Sequence, residues 1–351
     1  MKRRLQPRRW AVGLAIAMAL GLLAACGSGG SSDGSSSAAG QGANAKIGYA
    51  GFGLDTAFLS TLATKVEAAG KQAGGTVSVT SADGDPAKQA NNVNTLVSGG
   101  AKGIIIDPVN ADAIVPAINR AAQSGAKVVI IDGTASASKN IAIQVATDNY
   151  GAGADGCKVV GDLIKGSGTV LNLQGGLDNQ AAQNRSNGFT DCMKKNYPNL
   201  QVISHSYNWD AAQCSQIVKT QFSTTKIDGV FAASAQCLGP VKSALQGQGR
   251  LVPAGKPGHV PFAVIDGTPE ELQAVRDGTL TASIEQPLGD LATYAVGWLQ
   301  KALKGQTIQA GPTDHGTEVK EIGGTLRDLV APVVVTKKNV DDPTLWANQK
   351  Q

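Results

Sequence analysis

The chain has 351 residues, 42% of them apolar, 17% charged and only 4% aromatic, with 44 glycines. This length suggests two domains and excludes a disulfide-stapled miniprotein, and the composition excludes a long disordered chain or a polytopic membrane protein. The formal charge is +4, but Lys2, Arg3, Arg4, Arg8 and Arg9 supply five positive charges and the remainder stands at −1, without the broad basic field that nucleic-acid binding needs.

Residues 1–25 carry that basic start and then an apolar run from Trp10 to Ala25, too short and too rich in Ala and Gly for a good spanning helix. The segment reads as an export signal. It ends Leu23-Ala24-Ala25-Cys26-Gly27, which resembles the bacterial lipoprotein signal, in which the Cys is diacylated and becomes the new N-terminus. An ordinary signal peptide with an incidental Cys is the alternative. Gly27 to Ala43 is almost entirely Gly, Ser and Ala, so 26–44 reads as a lipidated Cys26 and a flexible tether. The expectation is a body anchored by Cys26 to the outer face of the cytoplasmic membrane or in the periplasm.

From Lys46 strands and helices alternate. Lys46 to Ala50 reads as a strand, Phe58, Leu62, Val66 and Ala69 mark a helix, and Thr76 to Thr80 is a second strand. A helix at Pro86 to Val97, the strand Gly103 to Ile106, a helix at Ala111 to Ala122 and strands at Lys127 to Ile131 and Ile141 to Ala146 follow. The pattern then restarts, with strands at Thr169 to Leu173, Gln201 to Ser206, Gly229 to Ala232, Phe262 to Ile265 and Thr281 to Ile284. Helical segments between them lie near Ala181 to Lys195, Ala211 to Phe222 and Pro240 to Gln246. Wholly apolar strands between helices predict parallel sheets covered on both faces, so the fold class is α/β with two doubly wound lobes. Leu288 to Leu303 has helical spacing and is placed back on the first lobe. The expected division is 45–147 plus about 288–305 for one lobe and 148–287 plus about 330–345 for the other. No structure is assigned to 305–330, and Pro332 to Val335 reads as a closing strand.

Ligands of open α/β sheets sit beyond the carboxyl ends of the strands. Those ends carry the loop Gly51-Phe52-Gly53-Leu54-Asp55-Thr56-Ala57-Phe58, then Asp107-Pro108 and Asp132-Gly133. In the second half Arg185 opens a helix, Trp209 and Ser234 follow strands, and Asp266-Gly267-Thr268-Pro269 and Glu285-Gln286-Pro287 end the last two. Singly, an Asp after a strand is ordinarily a helix cap and a Trp an ordinary packing residue. Together they offer acceptors, one bidentate donor and aromatic faces, the means to hold a polyhydroxylated ring.

The ordered series Asp107-Pro108 with Ala111 to Ile114, Thr147-Asp148-Asn149, Arg185 before Gly188-Phe189, Ile265 to Pro269, and Gln286 after a strand resembles the sugar-binding proteins of ABC importers of the ribose- and galactose-binding type. The resemblance covers nearly all of Lys46 to Gly305 and implies the type I periplasmic binding protein fold, with a multi-crossover hinge. It assigns ligand contacts to Asp55, Phe58, Asp107, Asp132, Arg185, Trp209, Ser234, Asp266 and Gln286. Ala57 and Gly133 stand where ribose-type members have an aromatic and an Arg, which argues against ribose itself. The acidic excess over Arg185 favours a ligand that mainly donates hydrogen bonds, hence a neutral sugar or polyol, with an amine-bearing sugar as the alternative. The resemblance further implies lobe closure about Thr147, Asp148 and Pro287, with an ABC permease and its ATPase as partners, a monomeric body and no cofactor.

Other motifs carry less. Gly151-Ala152-Gly153-Ala154-Asp155-Gly156 matches G-x-G-x-x-G but begins a helix mid-chain, with no acidic strand end about 20 residues on. Gly30 to Gly34 fits a nucleophile elbow only formally, inside the tether. His205, His259 and His315 are widely spaced and no Cys-x-x-Cys occurs, so no metal site and no catalytic residue is nominated. Cys157, Cys192, Cys214 and Cys237 admit three pairings, of which Cys157–Cys192 with Cys214–Cys237 is favoured because Cys214 and Cys237 begin consecutive helices on one face; four free buried thiols are the alternative. The chain is therefore expected to be a binding protein and not an enzyme. A sugar-sensing receptor subunit and an exported carbohydrate-processing enzyme are the competing classes. A transcriptional repressor is disfavoured by the export signal at the N-terminus.

Overall fold

The computed structural model describes residues 45–349. The export signal, Cys26, the tether and the Gly30–Gly34 motif lie outside the described residues.

The first sheet begins with β1 (Lys46–Gly51), β2 (Thr76–Ser81), β3 (Gly103–Ile106), β4 (Lys127–Ile131) and β5 (Ile141–Thr147), all parallel. Helices α1 (Ala57–Gln72), α2 (Pro86–Ser98) and α3 (Val115–Gln123) connect them. Local chemistry sets their starts: Thr56 caps α1 by accepting from the Leu59 N–H at 3.2 Å, and Asp85 caps α2 by accepting from Ala87 and Lys88, with Pro86 at the first turn. The helix expected from Ala111 begins only at Val115, because Asn110 turns 111–114 by accepting from the Asp112 and Ala113 N–H groups.

Alternation along the strands divides the apolar side chains between two cores. Ile47, Tyr49, Ile105, Val129 and Val145 face α1 and a late helix, α9 (Leu288–Leu303), whereas Ala50, Ile104, Ile106, Val128 and Ile130 face α2 and α3. Gly103 is required by this layering, since a Cβ there would lie 2.7 Å from Leu299 of α9.

The second sheet holds β6 (Gly168–Gln174), β7 (Leu200–Ser206), β8 (Gly229–Ala232), β9 (Phe262–Asp266) and β10 (Ala282–Glu285), again parallel. One face carries α4 (Asn149–Gly161) and α5 (Gln180–Asn196); the other carries α6 (Ala211–Thr224), α7 (Leu238–Gly247) and α8 (Pro269–Asp277). Disulfides join Cys157 to Cys192 between α4 and α5, and Cys214 to Cys237 between α6 and the 3-10 turn Ala235–Cys237.

The segment without a sequence assignment forms β11 (Gly311–Pro312), β12 (Glu318–Ile322) and β13 (Thr325–Val330). These extend the first sheet beyond β5, with β13 parallel to β5 and the outer two antiparallel. Then β14 (Val333–Val335) closes the second sheet antiparallel to β10. The chain thus passes between the sheets three times, at 147–148, 286–288 and 331–332. Two of the passages are bonded together, the Asp148 N–H donating to the Val330 carbonyl at 2.8 Å.

Candidate ligand-binding site

The carboxyl ends of both sheets face one cavity of about 730 Å³, lined by residues of both lobes. Eight of the nine expected contact residues line it: Phe58, Asp107, Asp132, Arg185, Trp209, Ser234, Asp266 and Gln286. Asp55 does not. The helix cap is Thr56, and Asp55, one residue before it, turns an exposed side chain to solvent. The aromatic that reaches the cavity from this loop without entering the core is Phe52, whereas Phe58 also packs into the first lobe's core.

Asp107 follows β3 and is buried; its Oδ1 accepts from the Gly133 N–H at 3.3 Å, while Oδ2 has no partner. Burial pushes this carboxyl well above the usual range, and the neighbouring Asp132 charge pushes it further. Asp132 follows β4 in a left-handed backbone conformation, φ 60°. Burial raises it to about 6, with the Arg185 charge opposing and the Asp266 charge adding.

From the second lobe, Arg185 is held by two hydrogen bonds at 2.7 Å, Nε to Asn149 Oδ1 and Nη1 to the Ala233 carbonyl. It lies 3.9 Å from Asp266 Oδ1 and 5.9 Å from the centre of the Trp209 ring. Asp266 accepts from the Ala235 N–H and from Gln286 Nε2, each at 2.9 Å, while Gln286 Oε1 is buried without a partner. Burial raises the Asp266 carboxyl against the opposing pull of Arg185. Trp209, at φ 60°, lays its indole on the backbone of Gly175 and Gly176; a Cβ at Gly175 would lie 2.2 Å from the ring. Ser234 donates to Gln236 Oε1, and Gln236 Nε2 donates to the Trp209 carbonyl at 3.1 Å.

Phe52, Asn179 and Gln236 line the cavity without having been singled out in the sequence. Phe52 had a signal, an aromatic between two glycines after the first strand. Asn179 reads as a helix cap and is one, accepting from the Ala181 and Ala182 N–H groups at 2.9 and 3.2 Å. Thr147, Asp148 and Pro287 occupy passages between the sheets; Asp148 caps α4 by accepting from Gly151, and Pro287 precedes α9.

The histidines stand apart from the cavity lining. His259 contacts the Val252 carbonyl and Thr281, and His315 lies between Asp314 and Asp328. Among the described residues no group of three or more His, Cys, Asp or Glu side chains could hold a metal ion, and no helix is long and apolar enough to cross a membrane.

The profile of the periplasmic binding protein domain matches residues 47–307. The chain belongs to that family. Two curated relatives are the xylitol-binding protein of Mycolicibacterium smegmatis and the ribose import binding protein of Escherichia coli, each 28% identical. The first alignment covers 66% of this chain and 65% of the relative, just under two thirds of its length; the second covers 76% and 88%. An ABC transporter solute binding protein from Agrobacterium vitis, solved with bound D-fucose, superposes with a TM-score of 0.71 at 25% identity, over 86% of this chain and 99% of that one. These family members are type I periplasmic binding proteins for small solutes rather than enzymes, and the two parallel-sheet lobes of this chain share their fold.

Proposed function

We propose that this chain is an extracytoplasmic solute-binding protein, anchored through a lipidated Cys26, that captures a small neutral sugar or polyol by lobe closure and delivers it to an ABC permease. The observation that carries the ligand class is the cavity's donor–acceptor balance: Asp107, Asp132, Asp266 and Glu270 against Arg185 and Lys242, with Gln286 beside them and the rings of Phe52 and Trp209 on its walls. Asp107 Oδ2 and Gln286 Oε1 have no partner within the protein, and a hydroxyl, which both donates and accepts, can meet the amide oxygen and either protonation state of the carboxyl. The aromatic faces suit the apolar C–H faces of a sugar ring. The import named for the Escherichia coli relative and the ABC transporter named for the Agrobacterium vitis protein support the importer context.

The test is a thermal-shift screen of the body beginning after Cys26 against pentoses, hexoses, polyols, sugar acids and amino acids. A ligand at 1,000 times its dissociation constant adds about 4 kcal/mol, enough for a shift of several degrees. One or a few neutral sugars or polyols are expected to shift the protein, with the shift lost in Asp132→Ala and Arg185→Ala. Shifts confined to amino acids or sugar acids would overturn the ligand class.

A further inference from the structure

After β14 the chain forms a strap that touches both lobes. Leu345 is buried in the core of the second lobe, Trp346 in that of the first, and Ala347 packs on both. Arg276 of α8 fastens this strap to the second lobe: Nε donates to Asp341 at 2.8 Å, and Nη2 donates to the Val340 carbonyl and Asn348 at 3.1 and 2.8 Å. Lys65 of α1 fastens it to the first lobe through Gln349.

Trp346, only 3% exposed, also bonds to the strands beneath the ligand site. Its backbone N–H donates to Glu285 Oε1 at 2.9 Å and its indole N–H to the Asp266 carbonyl at 3.2 Å. That carbonyl also accepts from the Gln286 N–H at 3.2 Å. Asp266 has φ 153°, a backbone region that residues with side chains rarely occupy and that must be held by its surroundings. The strained residue is the one whose carboxylate meets Arg185, Ala235 and Gln286 at the cavity.

We propose that Trp346 is a positioning residue for the ligand site: its indole N–H holds the Asp266 carbonyl, and through it the carboxylate, while its ring ties the strap to the opposite lobe. The proposal rests on the reading of the cavity as a ligand site. Phenylalanine at 346 keeps most of the buried ring but donates nothing, so it separates the hydrogen bond from the packing.

The experiment compares Trp346→Phe with the wild-type body by hydrogen exchange at the Gly267 and Gln286 amides without sugar, and by calorimetric titration with xylitol and D-ribose. The melting temperature is followed in parallel. Trp346→Phe is expected to melt near the wild type, to exchange faster at those two amides, and to weaken whichever sugar binds by about 2- to 12-fold, the effect of one lost hydrogen bond. Wild-type exchange at both amides would overturn the positioning role, as would a lowered melting temperature with unchanged sugar affinity. Failure of xylitol and D-ribose to bind the wild type would bear only on which neutral sugar or polyol the cavity takes, and the exchange rates would still decide the role of Trp346.

Discussion

Burial, more than any charged neighbour, sets the protonation of the carboxyls in and behind the cavity. It lifts Asp132 to about 6 and Glu271, which lies on α8 behind Asp266, to about 8. Glu271 is fully buried: one oxygen accepts from the Gly267 N–H at 2.9 Å and from Ser283, and the other has no partner. Its folded pKa exceeds the ordinary 4.5, so the folded state binds the proton more tightly than the unfolded chain does. The resulting stabilisation is full below about 4.5 and is lost as pH rises through about 8. Glu271→Gln is therefore expected to have a melting temperature that depends less on pH between 5 and 9, exceeding the wild type by several degrees at the alkaline end. Parallel melting curves across that range would remove the argument. At this scale the sequence was informative where an acid follows an apolar strand, because chain direction alone puts Asp107, Asp132 and Asp266 at one end of their sheets. It was uninformative for Gln236, which sits in a 3-10 turn with no periodic signal, and Asp55, assigned a contact by the resemblance, is exposed outside the cavity lining.

Of the glycines in Gly151-Ala152-Gly153-Ala154-Asp155-Gly156, Gly151 makes room for the Asp148 cap and Gly153 and Gly156 serve helix packing. A Cβ on Gly153 would lie 2.0 Å from the Arg185 carbonyl, one on Gly188 would lie 2.0 Å from the Tyr150 carbonyl, and one on Gly156 would meet the Phe231 ring at 2.4 Å. Helices α4 and α5 approach backbone to backbone, and the Cys157–Cys192 disulfide joins them. Gly153→Ala must push α5 away, with an overpacking cost of about 1–3 kcal/mol. Because α5 carries Arg185, the variant is expected to lose both melting temperature and ligand affinity; retention of both would show that the helices can part freely. Most parallel strands, such as β3, β4, β8 and β9, were legible because each is a short apolar run, and β2 and β7 because they are rich in β-branched residues or alternate between helices. The β11–β13 extension was not, because a polar network fixes it: the wholly buried Asp328 accepts from Trp298 Nε1 of α9 at 2.7 Å and from Thr317, and meets His315 Nε2 at 2.8 Å. Neither the 3.6- nor the 2-residue period registers such an arrangement.

For the molecule as a whole, three chain passages and the C-terminal strap join two separately cored lobes whose residues line one cavity. That arrangement is suited to rotation about the passages at 147–148, 286–288 and 331–332. A ligand that shifts the melting temperature is expected to reduce the radius of gyration in solution scattering, and an unchanged profile at saturation would sink the closure mechanism. The same threefold passage bears on how the protein comes to be folded. The first sheet is begun by β1, yet α9, which covers one of its faces, and β13, which pairs with the edge of β5, are synthesised only after β6 to β10 of the second lobe. Closing the first lobe therefore means bringing together segments separated by that entire lobe, an entropic cost met late and slowly. A nascent chain ending at residue 147 would leave Ile105, Val129 and Val145 without the α9 cover they have in the finished molecule. Both cores therefore wait for the C-terminal segment, the first for α9, β13 and Trp346 and the second for β14, Val340 and Leu345.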